Sequence, residues 1–555
     1  MSDRHLAHWP TALPLHLTVP ETNLYYNVEV AARRYPDKPF LVFYDTQIGY
    51  AEFRDECERL AGYLQQECGV KRGDRVLLYM QNSPQFVIGY YAILRAGAVV
   101  VPVNPMNLTD ELQHYVDDAG ATTALVPQDL YRHVAPPLQR GLRHLVVACY
   151  ADYLKVPTEL PLPEFVKAPR QPVTDAGAVA WSEALARDLR PRPLDTGPED
   201  LCVMPYTSGT TGHPKGCMHT HRSTMFNAVS SMTWFSTSPD SVFLATLPLF
   251  HVTGMEGCMN GPLYLGATVV LLPRWDREAA LRCVERYRIS NLSLIAAMVV
   301  DMLSHPKVTE FDLSSLRRIS GGGAAMPDAV AQRMKDLLGL DYVEGYGMSE
   351  TIAPTHINPP QRPKKQCLGI PIFGVDARVV DPNDFRELPP GEVGEIVVNG
   401  TQVMQGYWGK PDATRASFVE IDGKPFLRTG DLARTDEDGY FFMVDRLKRM
   451  INASGFKVWP AEVEALLYRH PAIQEACVIA AKDDKRGETV KAIVVLREAQ
   501  RGQVTEQQLV EWAHENMAAY KAPRIVQFAD SLPKSGTGKV QWRALQDAEN
   551  ATRNA

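Results

Sequence analysis

The sequence predicts an α/β protein: a large N-terminal domain of two α/β sheet subdomains plus a small β-barrel, then a small mobile α+β domain. Three observations predict it. Short β-branched runs alternate with helix-period segments up to about residue 380, the texture shifts to short strands and turns between about 375 and 442, and the remaining residues carry strands and helices of their own.

Taken in order, Arg75–Met80 reads as a buried strand and Pro84–Leu94 as a helix with apolar residues at helical spacing. Ala98–Val103 is the next strand, and Thr109 reads as the N-cap of the segment TDELQHYVDD. Ala124–Pro127 and Leu145–Cys149 continue a parallel series. Residues from about 150 to 198 are proline-rich and weak in periodicity, which predicts an excursion or long loop. A second α/β series is expected from about Leu201 to Val380, with strands Ser241–Leu247, Thr268–Leu272 and Asp341–Glu344 and a helix over Arg277–Tyr287. The runs ARVVD, GEIVVNG, FLRTGD and GYFFMVD supply the barrel. Strands Cys477–Ala481, Ala492–Leu496 and Ile525–Phe528 with helices Ala461–Tyr468 and Glu506–Ala518 make the terminal domain. The expected bounds are 1–444 and 449–555, joined by a hinge at 445–448.

Composition narrows the function classes. Of 555 residues 45% are apolar and 22% charged, which excludes disordered, collagen-like and disulfide-stapled chains. Net charge is −7, from 58 basic and 65 acidic residues without long single-sign runs, so no nucleic-acid-binding face is expected. The nine cysteines are odd in number and never in a CxxC pair, as free thiols of a reducing compartment would be, so the expected location is the cytoplasm. The N-terminus lacks the apolar core of a secretory signal. His251, Glu256, Asn260 and prolines interrupt Leu244–Pro273, the most apolar long stretch, so no transmembrane segment is expected.

The strongest local signal is Tyr206-Thr207-Ser208-Gly209-Thr210-Thr211-Gly212-His213-Pro214-Lys215-Gly216, following the apolar run LCVMP. Backbone N–H groups and hydroxyls of such a loop can wrap anionic oxygens, and Lys215 adds a compact positive charge. It is not a Walker A loop; the alternative is a flexible surface linker.

In its ordered company this string resembles the AMP-forming adenylate enzymes: acyl-CoA synthetases, luciferase-like enzymes and nonribosomal adenylation domains. The resemblance spans essentially the whole chain. Pro248–Gly254 is similar to the family's segment at the mouth of the acyl pocket, Ser320–Ala325 to a backbone strip along adenine, and Glu344–Thr351 to the adenine and magnesium segment. Arg428–Leu432 resembles the ribose clamp, Asp445–Lys448 the hinge, Ser454–Val458 the stretch that meets pantetheine, and Pro533–Val540 the terminal lysine loop. Taken alone, His251 would read as a core histidine, the triple glycine as a tight turn and T-G-D as a hairpin turn. Departures are Ser349 where relatives carry threonine, and S-G-T-G-K in place of T-A-T-G-K before Lys539.

The resemblance implies ATP-dependent activation of a carboxylic acid, favouring a medium- or long-chain fatty acid, to acyl-AMP and then acyl-CoA. An aryl-acid–CoA ligase and an enzyme loading a carrier protein are the alternatives. It assigns Lys539, Lys215, Glu350 and His251 to catalysis. Thr207, Ser208, Gly209, Thr210, Thr211, Gly212, Lys215, Gly323, Ala324, Glu344, Gly345, Tyr346, Gly347, Ser349, Asp431, Arg446 and Lys539 would bind ATP or AMP. Glu350 and Thr210 would serve Mg²⁺, a hard cation suited to oxygen ligands. Thr351 could share the hydroxyl role of Ser349. Arg274, Gly455, Phe456 and Lys457 would meet coenzyme A, and Lys448 would be the pivot. His251, Val252, Thr253, Met255, Met298 and Met348 are the acyl-pocket candidates; their methionines fit an aliphatic chain. The expected partners are small molecules, ATP, coenzyme A and the acid, and not nucleic acid. A peripheral membrane contact and a homodimer are compatible with this reading.

Overall fold

The computed structural model describes residues 3–138, 140–207, 214–323, 326–453, 456–483, 487–534 and 540–552. Contact density divides the chain into two units: Met1–Ala377 with Val398–Leu427 and Asp438–Tyr440, and Arg378–Val397 with Arg428–Glu437 and Phe441–Ala555.

The first unit holds two large sheets. One runs, in spatial order, Ala178–Ala180, His144–Ala148, Thr123–Pro127, Arg75–Tyr79, Val99–Val103, Leu201–Val203 and His219–Thr220. Its pairs are parallel except the last. Val99–Val103 is buried at every position, as a central parallel strand covered on both faces must be. Pro84–Arg95 follows Ser83, whose Oγ accepts the Phe86 N–H at 3.1 Å, and Pro84 in the first turn loses no helical bond.

Two expectations are corrected here. Thr109 is the first helical residue and not the cap; the N–H of Leu108 donates to Glu111 Oε2 at 2.8 Å, so the cap bond comes from the third helical residue. The segment 150–198 is not all loop. Ala178–Ala180 adds an edge strand, and Trp181 on the helix Trp181–Ala186 is buried with its indole N–H on Tyr153 Oη. Both elements are too short to show a period.

The other sheet runs Ile370–Pro371, Ala353–Ile357, Tyr342–Met348, Arg318–Gly322, Asn291–Ser293, Val242–Ala245, Thr268–Leu271, Pro39–Phe43 and Thr46–Gly49. The series expected to begin at Leu201 therefore cedes Leu201–Val203 to the first sheet and recruits an N-terminal hairpin. Pro39–Phe43 lies parallel to Thr268–Leu271, with Thr46–Gly49 folded back outside it. Arg277–Tyr287 is helical as expected, with Asp276 capping Ala279 at 2.9 Å.

In the second unit, Phe456–Val458, Ile451–Ala453, Gly487–Leu496 and Ile473–Asp483 form a sheet in that order, and Ile525–Phe528 runs parallel to Gly487–Leu496. Pro460–Leu467 and Glu506–Asn516 close its core over Val458, Val463, Leu467, Val478, Val494 and Leu509. The four runs expected of the barrel are strands, Asp376–Val380, Gly394–Asn399, Lys424–Thr435 and Phe441–Arg446, and a strand not expected, Phe418–Ile421, pairs antiparallel with the start of Lys424–Thr435. All nine cysteines are buried and free. Among the described residues no helix is long and apolar enough to cross a membrane.

Candidate active site

The chain around Lys215 is held by backbone pairing. Thr207 N–H donates to Lys215 O at 3.0 Å, and Tyr206 bridges Gly216. Cys217 bridges Tyr407 and Trp408 N–H donates to Gly216 O at 2.9 Å, which brings a distant segment alongside. Tyr407 then meets two expected site residues at once. Its hydroxyl donates to Glu350 Oε1 at 2.7 Å, and the Lys215 ammonium sits 4.1 Å from its ring centroid. Burial first, and the Glu350 carboxylate next, push the Tyr407 phenol far above its ordinary range, so it remains a donor.

Glu350 lies on an unusual turn. Ile352 and Ala353 have φ of 43° and 78°, a left-handed pair without glycine. Every carbonyl from Ser349 to Ile352 is pinned: Ser349 O by His219 Nε2 at 2.7 Å, Glu350 O by Met404 N–H at 2.8 Å, and Thr351 O and Ile352 O by Asn227 Nδ2 at 3.0 and 2.8 Å. Thr351 cannot share the role of Ser349. It is fully buried, and its hydroxyl is bonded to Met348 and Ala353 carbonyls.

The glycine strip ends the strand Arg318–Gly322. A Cβ on Gly321 would lie 2.0 Å from Leu294 O and one on Gly322 would lie 2.3 Å from Gly345 O, so close strands demand glycine here whether or not a base lies alongside. Gly323 follows with φ +84°. Gly345, Tyr346 and Gly347 are on the adjacent strand Tyr342–Met348; the Tyr346 ring is 8% exposed and tilted 61° to His356 at 5.7 Å. Burial raises the Glu344 carboxyl to about 7, although its Oε1 accepts the Met326 N–H at 3.1 Å. Glu344 thus anchors the backbone at Met326.

His251 caps the short helix Val252–Met255, its Nδ1 accepting from Thr253 N–H at 3.3 Å. Val252 and Met255, one turn apart, are sealed in the core, with Met255 Sδ on Tyr90 Oη, so neither faces an open pocket. Thr253 is exposed and Met298 and Met348 are half-buried, which leaves these three of the candidates accessible with His251. A turn of π-helix, Glu256–Asn260, follows; Glu256 and Asn260 pair at 2.7 Å inside the core. Arg274 is exposed and stacks on Phe165, 4.8 Å from the ring.

Asp431 and Arg446 belong to the second unit, where they face each other across a ladder and pair at 3.0 Å. Glu395, absent from the sequence reading, organises the R-T-G-D run: its carboxylate takes Arg428 Nη2 at 2.8 Å and Gly430 N–H at 3.1 Å. Asp445 accepts the Ala461 N–H at 2.7 Å, tying the expected hinge to the first turn of Pro460–Leu467. Lys448 lies in a 3-10 turn, Leu447–Arg449, and Phe456 and Lys457 on the strand Phe456–Val458. Ser208, Gly209, Thr210, Thr211, Gly212, Ala324, Gly455 and Lys539 lie outside the described residues.

Among the described residues no group of three or more His, Cys, Asp or Glu could hold a metal ion. A single buried carboxylate, Glu350, held by a tyrosine beside a lysine, fits Mg²⁺, which takes one or two protein carboxylates and completes its shell with phosphate and water.

Tyr407 and Asn227, like Glu395, are residues that sequence reasoning missed. No sequence signal marks Asn227; only the structure shows that the helix His221–Trp234 buries nearly all of its polar side chains.

Comparison with known proteins gives a consistent picture. The family described as AMP-binding enzyme matches residues 28–408, and its C-terminal domain matches residues 462–539. A long-chain-fatty-acid–CoA ligase of Bacillus subtilis (strain 168) is 34% identical over 553 residues, 98% of each chain. A feruloyl-CoA synthase of an Amycolatopsis species is 35% identical over 502 residues, covering 89% of this chain and 92% of that one. The anthranilate–CoA ligase AuaEII, solved with anthranoyl-AMP, superposes with a TM-score of 0.82 at 26% identity, covering 98% of this chain and 100% of that one.

Proposed function

Because the chain belongs to the AMP-binding enzymes and is an AMP-forming acid–CoA ligase, we propose that the acid it activates is a long-chain fatty acid. The observation that carries this reading is the 34% identity to a long-chain-fatty-acid–CoA ligase over 98% of both chains. The accessible Met298 and Met348 suit a flexible aliphatic chain.

A carboxylate is a poor acyl donor, because oxide would have to leave. ATP-dependent activation solves this: a carboxylate oxygen bonds to the α-phosphorus, pyrophosphate leaves, and the thiol of coenzyme A then displaces AMP from the adenylate carbonyl. In our reading Lys215 and the loop Thr207–Gly212 hold the departing phosphates, with Glu350 as the carboxylate for Mg²⁺. Magnesium, when bound, supplies charge neutralisation on those phosphates. Asp431 accepts from the ribose hydroxyls, Arg446 lies beside them, and Tyr346 flanks adenine. Lys539 would bridge the acid carboxylate and the α-phosphate, then withdraw as the terminal domain turns about Lys448 and presents Gly455–Lys457 to coenzyme A. Positioning and charge neutralisation do most of this work. The free cysteines support a cytoplasmic location.

The test is pyrophosphate release over acids from acetate to stearate, with ferulate and benzoate, each with and without coenzyme A. Greatest kcat/KM with long aliphatic acids is expected, with turnover sustained by free coenzyme A. An aryl acid is the second reading, favoured by the 35% identity to a feruloyl-CoA synthase; preference for ferulate would overturn the first.

A further inference from the structure

We propose that Tyr407 is a positioning residue with two separable duties, its hydroxyl orienting the Glu350 carboxylate and its ring face seating the Lys215 ammonium. The proposal rests on the reading of Glu350 as the magnesium carboxylate and Lys215 as a phosphate ligand.

Three observations carry it. The ring is 7% exposed and its backbone is fixed from several sides: Cys217 bridges it, its N–H donates to Thr414 Oγ1 at 2.9 Å, and its carbonyl accepts from Lys410 N–H at 3.2 Å. A rigid ring can transmit position. Its hydroxyl donates to Glu350 Oε1 at 2.7 Å, which sets the rotation of a carboxyl group whose backbone turn is already pinned at each carbonyl. Lys215 lies 4.1 Å from the ring centroid and, among the described residues, makes no ion pair. An ammonium seated on an aromatic face instead of a carboxylate keeps its charge for an incoming anion. One side chain thus fixes the spacing between a lysine and a carboxylate that are far apart in sequence.

The two duties predict different losses. Isothermal titration of ATP, in excess magnesium chloride and in EDTA, gives two dissociation constants whose ratio is the magnesium-dependent gain in affinity. Tyr407→Phe keeps the ring and removes the hydroxyl; the gain should fall about tenfold or more, as for other groups that orient a metal ligand, while affinity in EDTA stays within about twofold of wild type. Tyr407→Leu removes both duties and should also weaken ATP binding in EDTA, by about threefold or more. Glu350→Gln should abolish the gain, and adding Tyr407→Phe to it should change nothing further, because the hydroxyl acts through that carboxylate. A merely structural tyrosine would instead lower ATP affinity in EDTA on Tyr407→Phe, in the Glu350→Gln background as in wild type, and that result overturns the proposal. Tyr407→Phe with the full gain, or Tyr407→Leu with wild-type affinity in EDTA, overturns the proposal alone. Glu350→Gln with the full gain overturns the reading of Glu350, and the proposal with it.

Discussion

Replacing Asn227 by alanine should loosen the turn that carries Glu350, and the size of the effect can be worked out. Asn227 Nδ2 donates to Thr351 O at 3.0 Å and Ile352 O at 2.8 Å. Each such bond contributes about 1 kcal/mol net, so about 2 kcal/mol of local stability goes with the side chain. Asn227 Oδ1 makes no hydrogen bond among the described residues, so truncation orphans no donor. The turn also holds Ile352 and Ala353 at φ 43° and 78°, conformations that cost about 1–2 kcal/mol each. Because that strain is present with or without Asn227, local opening should become easier by the two lost bonds alone, about 2 kcal/mol, or roughly thirtyfold faster exchange. Hydrogen–deuterium exchange reads this directly at the Ile352 amide, bonded to Ser349 O, and at the Met404 amide, bonded to Glu350 O. Pyrophosphate release should fall in parallel, since Glu350 loses its fixed place. Exchange at both amides within about threefold of wild type would refute the claim that Asn227 holds the turn.

Further expectations can be checked independently. Lys539→Ala should abolish adenylate formation yet leave conversion of supplied acyl-AMP to acyl-CoA largely intact; equal loss of both half-reactions would sink the alternation of the terminal domain. Burial holds His219 and His221 at about 4 and His356 at about 3. Each lies below its unfolded value of about 6.5, so stability of about 3 kcal/mol or more per residue is present above that pH and is lost as pH falls toward 4. A melting temperature that is flat between pH 7.5 and pH 5 would contradict this. Glu344 has the opposite sign: raised to about 7, it favours the fold at low pH and stops doing so as pH rises from about 4.5 to 7. Glu344→Gln should raise the melting temperature more at pH 8 than at pH 5. Gly322→Ala would drive a Cβ to 2.3 Å from Gly345 O and should destabilise by about 1–3 kcal/mol in thermal melts; an unchanged melting temperature would show that the strands can part freely.

What was legible in the sequence was local or contiguous. Arg277–Tyr287 announces itself through its period and the Asp276 cap, and buried parallel strands such as Val99–Val103 read as apolar runs. Thr109 misled because it is a good cap residue placed one position late, while Glu111 supplied the bond from inside the helix. Tyr342–Met348 is longer than expected because its glycines lie in a strand that its neighbours hold at very short range, where chain flexibility would ordinarily suggest a loop. Lys215 and Glu350 stand in recognisable motifs. Tyr407 does not, since nothing near it in the chain hints that it reaches both. Val252 and Met255 sit in a run with accessible neighbours, and only the direction of a single helical turn decides that they face the core. Pairing partners chosen across hundreds of residues are likewise beyond a local pattern.

The hairpin Pro39–Phe43 and Thr46–Gly49 closes one edge of the nine-stranded sheet, yet the strand it lies against, Thr268–Leu271, comes much later in the chain. On the ribosome that neighbour arrives about 230 residues later, roughly 10–50 s at ordinary synthesis rates. Until then Phe40, Leu41, Val42 and Phe43, all buried in the finished protein, have no sheet to cover them. The second sheet therefore assembles late, around a segment made first, and the newborn chain must keep a sticky apolar ribbon out of trouble during that interval. Slowing translation between the two strands lengthens this exposure and should lower the soluble yield without touching any residue of the finished site.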